Sequence, residues 1–144
     1  MVIDAPNQIK RESQVFTTSG YTIPELDNDK DTLPKLFVDT AKKYWGKIAM
    51  RKKRLGIWQE YTWEESYQKV HDFTLGLMST GLQRGEKVAI IGENDPEFYW
   101  AELATHCAGG ASTAIFTDAN PQELLYVVTN SDSVFLVAHD QEQC

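Results

Sequence analysis

Apolar positions recur along the chain at helical spacing in two stretches before residue 82. The first stretch predicts a helix over Leu33–Trp45, with Asp31 or Thr32 placed to cap its start. The second begins at the capping-box sequence Thr62–Glu65, in which the hydroxyl and the carboxylate each satisfy a free backbone amide. Apolar residues continue at the same spacing, so a second helix is predicted to end near Gly81.

Two short β-prone runs lie between these helices. Residues 48–51 and 57–61 flank the charged connection Lys52–Gly56. Two such runs around a connection that contains glycine predict an antiparallel hairpin over residues 48–61.

The pattern changes at Lys87, where short and nearly unbroken apolar runs begin to alternate with helical segments. Strands are predicted at Val88–Ile91, Ala111–Phe116 and Val134–Val137, and helices begin near Pro96 and Pro121. Unbroken apolar strands that alternate with helices are typical of a parallel sheet covered on both faces. The predicted fold class is therefore α/β, a βαβαβ parallel-sheet unit with the antiparallel hairpin outside it.

The chain has 144 residues, which suits one domain. Residues 1–30 are polar and aperiodic, and they predict an N-terminal extension that wraps over the body or stays mobile. Residues 31–144 are predicted to form one partial domain, because a doubly wound domain would usually continue past the third strand.

Charge is unevenly distributed. Net charge is −7; residues 1–61 hold 11 basic and 8 acidic side chains, whereas residues 62–144 hold 3 and 13. The acidic main body argues against nucleic acid as the partner, because nucleic-acid binders show the opposite footprint. The chain lacks a signal-peptide pattern and a long apolar run, and Cys107 and Cys144 show neither metal-ligand nor disulfide-scaffold spacing. A cytoplasmic location is expected.

The turn after the first parallel strand is where such a fold would place a phosphate site. It reads Ile91–Pro96, in which one glycine is followed by Glu93 and Asp95. These carboxylates would repel a pyrophosphate, and neither the dinucleotide fingerprint nor a P-loop is present. Gly109–Gly110 ends a predicted helix, so a C-cap is favoured there over a ligand site.

Histidines and cysteines supply no assignable site. His71, His106 and His139 are isolated along the chain. His106 and Cys107 resemble a thiol–imidazole pair, but adjacent helix residues point about 100° apart, so packing is the favoured role. No nucleophilic triad or metal-binding spacing is found in the sequence. We therefore assign no catalytic, cofactor-binding or metal-binding residue.

Two further groups have competing interpretations. The basic cluster Arg51–Arg54, preceded by three lysines, is either a solvated hairpin tip that protects an edge strand or a patch for anionic lipid headgroups or an acidic partner; the first is favoured. Six aromatic residues either fill a core, which is favoured, or line an apolar pocket. They are Trp58, Trp63, Tyr67, Phe98, Tyr99 and Trp100, and the three lysines are Lys42, Lys43 and Lys47.

Five segments, in order, resemble motifs of the adenylate-forming enzymes. Residues 61–65 (Y-T-W-E-E) resemble the first core motif, and residues 85–91 (G-E-K-V-A-I-I) resemble a G-D-x-V-A-I strand. Residues 103–116 resemble the second core motif, although Ala114 stands where proline is usual. Residues 123–131 (E-L-L-Y-V-V-T-N-S) are similar to an E-x-x-Y-x-x-x-x-S helix, and residues 134–143 to the strand and acidic turn after it.

Three shorter sequences narrow this resemblance. L-P-K-L-F at residues 33–37, W-Q-E-Y-T-W at 58–63 and H-D-Q-E-Q at 139–143 look most like bacterial long-chain fatty acid-CoA ligases, which are AMP-forming acyl-CoA synthetases. Aryl ligases, luciferases and peptide-synthetase adenylation domains remain alternatives. The resemblance implies that residues 31–144 are part of an AMP-binding domain whose phosphate loop and catalytic lysine would lie downstream of Cys144.

The resemblance also implies an activity for a longer parent protein. Such an enzyme would use ATP, Mg²⁺ and CoA to convert a fatty acid into an acyl-adenylate and then an acyl-CoA. This chain alone is expected to bind none of these cofactors and to be inactive. The alternative is a non-catalytic α/β module for assembly or dimerisation. Self-association is expected in either case, because Val134–Val137, Trp100 and Leu103 would be left uncovered.

Overall fold

The computed structural model describes residues 29–140, so the predicted N-terminal extension lies almost entirely outside the described residues. Helices and strands follow the predicted order, with boundaries within a few residues of those expected. In chain order they are α1 (Leu33–Tyr44), β1 (Ile48–Arg54), β2 (Ile57–Thr62), α2 (Trp63–Ser79), β3 (Lys87–Ile91), α3 (Pro96–Cys107), β4 (Ala111–Ile115), α4 (Pro121–Ser131) and β5 (Ser133–Ala138).

The three later strands form one parallel sheet in the order β4-β3-β5. Lys87 of β3 is in register with Ala111 of β4, and Ile91 is in register with Ala138 of β5. This confirms the predicted βαβαβ unit. Because β3 is the central strand, β4 and β5 form the two edges of the sheet among the described strands.

Alternate residues of β3 point into two separate cores. Val88 and Ile90 pack with residues of α1, α2 and α3 on one face. Ala89 and Ile91 pack with Ile115 on the other face, which α4 covers. Burial on both faces explains the unbroken apolar run of β3, and each buried branched side chain contributes roughly 1.5–3 kcal/mol to stability.

The first two strands form a separate antiparallel hairpin, as predicted. The predicted five-residue connection is wrong: the strands continue to Arg54 and resume at Ile57, so the turn is Leu55–Gly56. Both turn residues have positive φ, 49° and 83°, as two-residue hairpin turns of the primed type require. The basic cluster consequently lies in β1 rather than at the turn.

Local capping fixes the starts of two helices. The Thr62 amide donates to the Glu65 carboxylate at 2.8 Å, and the Glu65 amide donates to the Thr62 hydroxyl at 3.1 Å, which confirms the predicted capping box of α2. Asn120 and Glu123 form a second box at α4. Thr32 occupies the N-cap position of α1 but makes no side-chain capping bond.

β5 exposes apolar residues, as predicted. Trp100, which was also predicted to be uncovered, is buried. Val134 and Leu136 are 51% and 45% exposed. Trp100 is 7% exposed, because the hairpin covers it and the Tyr61 ring meets it edge to face at 5.1 Å. Leu103 is only half-buried. Among residues 29–140, no helix combines the length and apolar character needed to cross a bilayer.

Candidate functional site

The carboxyl ends of the three parallel strands meet at one edge of the sheet, which is where ligands bind in open α/β folds. β3 and β5 run together to this edge, and the His139 amide donates to the Ile91 carbonyl at 3.0 Å just beyond them. The turns that follow β3 and β4 and the segment His139–Asp140 after β5 therefore lie side by side. We take this edge as the candidate site.

An apolar crevice of about 140 Å³ opens between the ends of β3 and β5. Side chains of α2, α3 and both strands form its walls, and the more polar Glu97 and His139 also line it. The apolar lining consists of Phe73, Ile90, Ile91, Phe98, Ala101, Val137 and Ala138. A wider hollow of about 360 Å³ lies on the β4 side, bounded by Glu93, Asn94, Phe116 and Thr117 among others.

Gly92 lies where these two hollows meet. A Cβ atom on Gly92 would lie 3.1 Å from His139 Cβ and 3.6 Å from the Phe98 ring. Its φ is not among the positive values, so close approach rather than backbone conformation explains why glycine is needed. The predicted unsuitability of this turn for pyrophosphate remains a prediction.

A polar network joins the hairpin to the site. Lys52 Nζ lies 2.7 Å from the Asp95 carboxylate and 3.2 Å from the Glu97 carboxylate at the start of α3. Hydrogen bonding to Asp95, and then to Glu97, raises the pKa of Lys52 despite its partial burial. His139 Nε2 lies 3.8 Å from the same Asp95 oxygen. Lys52 therefore fixes β1 against the first turn of α3.

This network has one weak signal in the sequence. Lys52 is one of four consecutive basic residues, but strand alternation puts it on the same side as Met50, which packs against the core. That alternation is the signal that separates Lys52 from Arg51, whose partner is the exposed Glu60 at 2.9 Å. The approach of His139 to Asp95 depends on strand order and has no local signal.

The three histidines lie in different places, and only His139 is at the candidate site. His71 is exposed on α2, 3.2 Å from the Asp72 carboxylate. His106 Nε2 lies 3.0 Å from the Ser112 hydroxyl. Burial raises the pKa of the Cys107 thiol, so this cysteine is not activated as a nucleophile. Cys107 packs against the core and His106 is half-buried, as the favoured interpretation expects, and the absence of a catalytic role for either residue stays a prediction.

The two glycines at the end of α3 lie at the opposite end of the sheet from the site. Gly109 has a φ of 84°, and its amide donates to the His106 carbonyl. A Cβ on Gly110 would lie 3.0 Å from the Glu86 carbonyl oxygen. The predicted C-cap is confirmed.

The six aromatic residues named above, predicted either to fill a core or to line an apolar pocket, do not share one role. Trp100 lies in the core, Trp63 and Tyr67 pack against it, and Phe98 both packs against it and lines the crevice. Trp58 and Tyr99 are exposed. Within the described residues, no group of three or more histidine, cysteine or carboxylate side chains is arranged to hold a metal ion.

Comparison with known proteins identifies the family. The family model described as AMP-binding enzyme matches residues 37–144, which is most of the chain. The chain belongs to the AMP-binding enzyme family. The Legionella pneumophila fatty acid AMP ligase, a solved structure, superposes with a TM-score of 0.67 at 20% identity over 74% of this chain and 19% of its own. The N-terminal subdomain of Klebsiella oxytoca NpsA superposes with a TM-score of 0.69 at 19% identity over 76% and 28%.

Curated relatives within this family are long-chain-fatty-acid–CoA ligases. The Rattus norvegicus protein is 29% identical over 112 residues, which cover 78% of this chain and 16% of the relative. A Gallus gallus protein is 29% identical over 139 residues, which cover 91% and 18%. The chain thus spans about a sixth of the length of the curated relatives it matches.

Proposed function

We propose that this chain is the amino-terminal part of an ATP-dependent acid–CoA ligase whose acid is a long-chain fatty acid. The observation that carries the proposal is the match of residues 37–144 to the AMP-binding enzyme family. The names of the curated relatives, which are long-chain-fatty-acid–CoA ligases, support a long-chain fatty acid and CoA as the proposed substrates. ATP and Mg²⁺ are the proposed cofactors of the parent enzyme, with CoA as the acyl acceptor, in the cytoplasm.

In the proposed reaction, a carboxylate oxygen attacks the α-phosphorus of Mg-ATP and pyrophosphate leaves, which gives an acyl-adenylate. The CoA sulfur then attacks the acyl carbonyl and AMP leaves. Both steps build negative charge that needs hydrogen-bond donors or cations held in place. Around the described crevice the one lysine, Lys52, is already held by Asp95 and Glu97.

The part that we assign to this chain is therefore structural. Its apolar crevice of about 140 Å³ is smaller than the roughly 300–1,000 Å³ of typical small-molecule sites, and the adjoining hollow of about 360 Å³ reaches only the lower end of that range. We propose that the carboxyl edge of β3, β4 and β5 supplies one wall of a larger cleft, and that Lys52 and Gly92 hold that wall in shape. Alone, the chain should neither bind Mg-ATP nor form acyl-CoA.

This proposal is tested by calorimetry and by pyrophosphate release. The purified 144-residue chain, titrated with Mg-ATP and then assayed with hexadecanoic acid and CoA, should show no binding and no pyrophosphate. The rat ligase named above serves as the positive control in the same buffers. Micromolar ATP binding by the chain would contradict the proposed inactivity, and a gene that encodes no phosphate loop after codon 144 would contradict the proposed parent.

A second candidate function is supported by the edge strand β5. Val134 and Leu136 are about half exposed there, and an open edge offers backbone groups to another strand. We propose, as the alternative, a non-catalytic α/β module that assembles with a second copy. Self-association would be common to both proposals, so the coding sequence after codon 144 separates them.

A further inference from the structure

The end of the hairpin exposes three large apolar side chains together. Leu55 is 95% exposed, Ile57 71% and Trp58 61%. We call residues 53–58 the hairpin tip. Farther down the ribbon, Met50 and Tyr61 pack against the core, so the ribbon is attached at its base while the apolar residues of its tip are exposed.

Leu55 contributes little to the fold that holds it. It is nearly fully exposed, and its φ of 49° lies in the left-handed region that a bulky residue rarely adopts. Asparagine or glycine would form the same two-residue turn with less strain. A strained and solvated leucine at a turn indicates a requirement outside the fold.

Two basic residues, Lys53 and Arg54, belong to this apolar tip. Residues 40–59 contain seven basic and no acidic side chains. Arg51 and Lys52 are engaged with carboxylates, whereas Lys53 and Arg54 make no ion pair with any residue in the described part of the chain. Lys53 Nζ lies 5.9 Å from the centre of the Trp58 ring. The tip therefore combines apolar side chains with two available positive charges.

We propose that the hairpin tip is a docking site for an anionic lipid surface. Tryptophan prefers the depth of the headgroups, Leu55 and Ile57 can enter the acyl layer below it, and Lys53 and Arg54 meet phosphates. A six-residue convex tip is small for a protein interface, which usually involves 20–30 residues a side. Nucleic acid would leave the apolar side chains in water.

The charge distribution sets the orientation at such a surface. With a net charge of −7, the molecule as a whole is repelled by anionic lipid. Only the basic stretch that contains the tip is attracted, so the tip meets the bilayer while the acidic α/β body stays away from it. The proposal does not depend on the proposed ligase activity, since it needs neither ATP nor CoA.

Vesicle binding tests the proposal on the full chain. We expect the chain to co-sediment with vesicles of phosphatidylcholine containing about one-third phosphatidylserine, and to bind pure phosphatidylcholine at least about tenfold more weakly. Binding should weaken with added salt without vanishing, because screening affects only the ionic part. Heparin, which offers anionic groups without an apolar layer, should compete only for the ionic part of the binding, as salt does, and should not abolish it.

Two variants separate the apolar and ionic contributions. Leu55→Asn removes the most exposed side chain and creates Asn-Gly, the preferred sequence for this turn, so the hairpin is retained. It should lower the partition coefficient about tenfold, the effect of losing one leucine from an apolar layer. The double variant K53Q/R54Q should remove the preference for phosphatidylserine while leaving weak binding to neutral vesicles.

Matched controls change the same residue types elsewhere. Leu125→Gln alters an exposed leucine on α4, and Lys69→Gln removes an exposed cation from α2. Neither should alter vesicle binding. The proposal is overturned if the chain ignores both vesicle types, if Leu55→Asn binds as well as the wild type, or if the controls lose binding equally. Complete displacement by heparin would instead assign the binding to an anionic polymer and would equally overturn it.

Discussion

At the scale of single residues, Gly92 shows how the candidate site is closed. It lies between His139 and Phe98, and a side chain on its backbone would require His139 to shift by a few tenths of an ångström. In the sequence Gly92 is one glycine in an acidic turn. Glycine is favoured at this position because His139, far along the chain, packs closely against its backbone. Local chemistry could not predict it, because that contact exists only once β5 lies beside β3.

Substitution of Gly92 should therefore lower the free energy of unfolding. Substitution of a helical glycine that has space for a side chain should raise it. Gly92→Ala puts a methyl group 3.1 Å from His139 Cβ and should lower the free energy of unfolding by about 1–2 kcal/mol. Gly76 in α2 has nothing within 4 Å of its missing Cβ, so Gly76→Ala should raise it by about 0.5–1 kcal/mol. Urea denaturation followed by circular dichroism measures both. Equal effects of the two variants would show that His139 does not crowd Gly92.

At the scale of elements, the starts of helices and the apolar strands were predictable because their signals are local. A capping box needs only residues three apart, and Thr62 with Glu65 forms one as expected. The hairpin turn was misplaced because Leu55 occupies a position where Asn or Gly is the usual signal. The contact of Lys52 with Asp95 joins distant segments, and only the strand alternation hinted at it.

The capping box gives α2 a defined dependence on pH. Hydrogen bonds from the Thr62 backbone, and then from its side chain, lower the pKa of Glu65 in the folded protein. The stabilisation that Glu65 provides is therefore fully present above the pKa of an unfolded glutamate, about 4.3, and is lost as pH falls through the lower folded value. Glutamine cannot titrate but keeps an acceptor oxygen for the Thr62 amide.

We expect the stability of Glu65→Gln to fall less steeply with acid than that of the wild type, with the two curves converging below the folded pKa. Urea denaturation at a series of pH values between about 2.5 and 6 measures this. Glu64→Gln is the matched control: it removes a carboxylate from the same helical turn, and no capping bond is made by Glu64 in the structure. If Glu64→Gln reduced the acid slope as much as Glu65→Gln, the capping bond would not be its source.

At the scale of the whole molecule, β5 forms an open edge of the described sheet with Val134 and Leu136 partly exposed. Unbroken apolar character in the sequence suggested a covered strand, and the sequence alone could not place it at an edge, because strand order depends on how the crossovers pack. Trp100 was expected to be uncovered for the same reason as β5. It is instead covered by the hairpin, which the sequence predicts to lie outside the parallel sheet.

Self-association through β5 is the consequence that light scattering can test. The chain should show a mass that rises above 16.4 kDa with concentration, and more so at high salt, where the net charge is screened. Leu136→Lys puts a charge on the edge strand and should weaken association at least about tenfold. Tyr126→Lys, on an exposed position of α4, should leave it unchanged. A constant mass of one chain at all concentrations would contradict the prediction.

The order in which the strands are synthesised limits when each strand pair can form. Of the three parallel strands, the central strand β3 is synthesised first, β4 follows on one side of it, and β5 comes last on the other side. Until residues 133–138 have left the ribosome, one side of the most apolar strand has no partner, and closing the β3–β5 pair spans a long loop. The backbone hydrogen bonds of the hairpin and of α2 join only near neighbours, so both elements can form earlier. We therefore expect the nascent chain to be most prone to aggregation between the synthesis of β3 and that of β5.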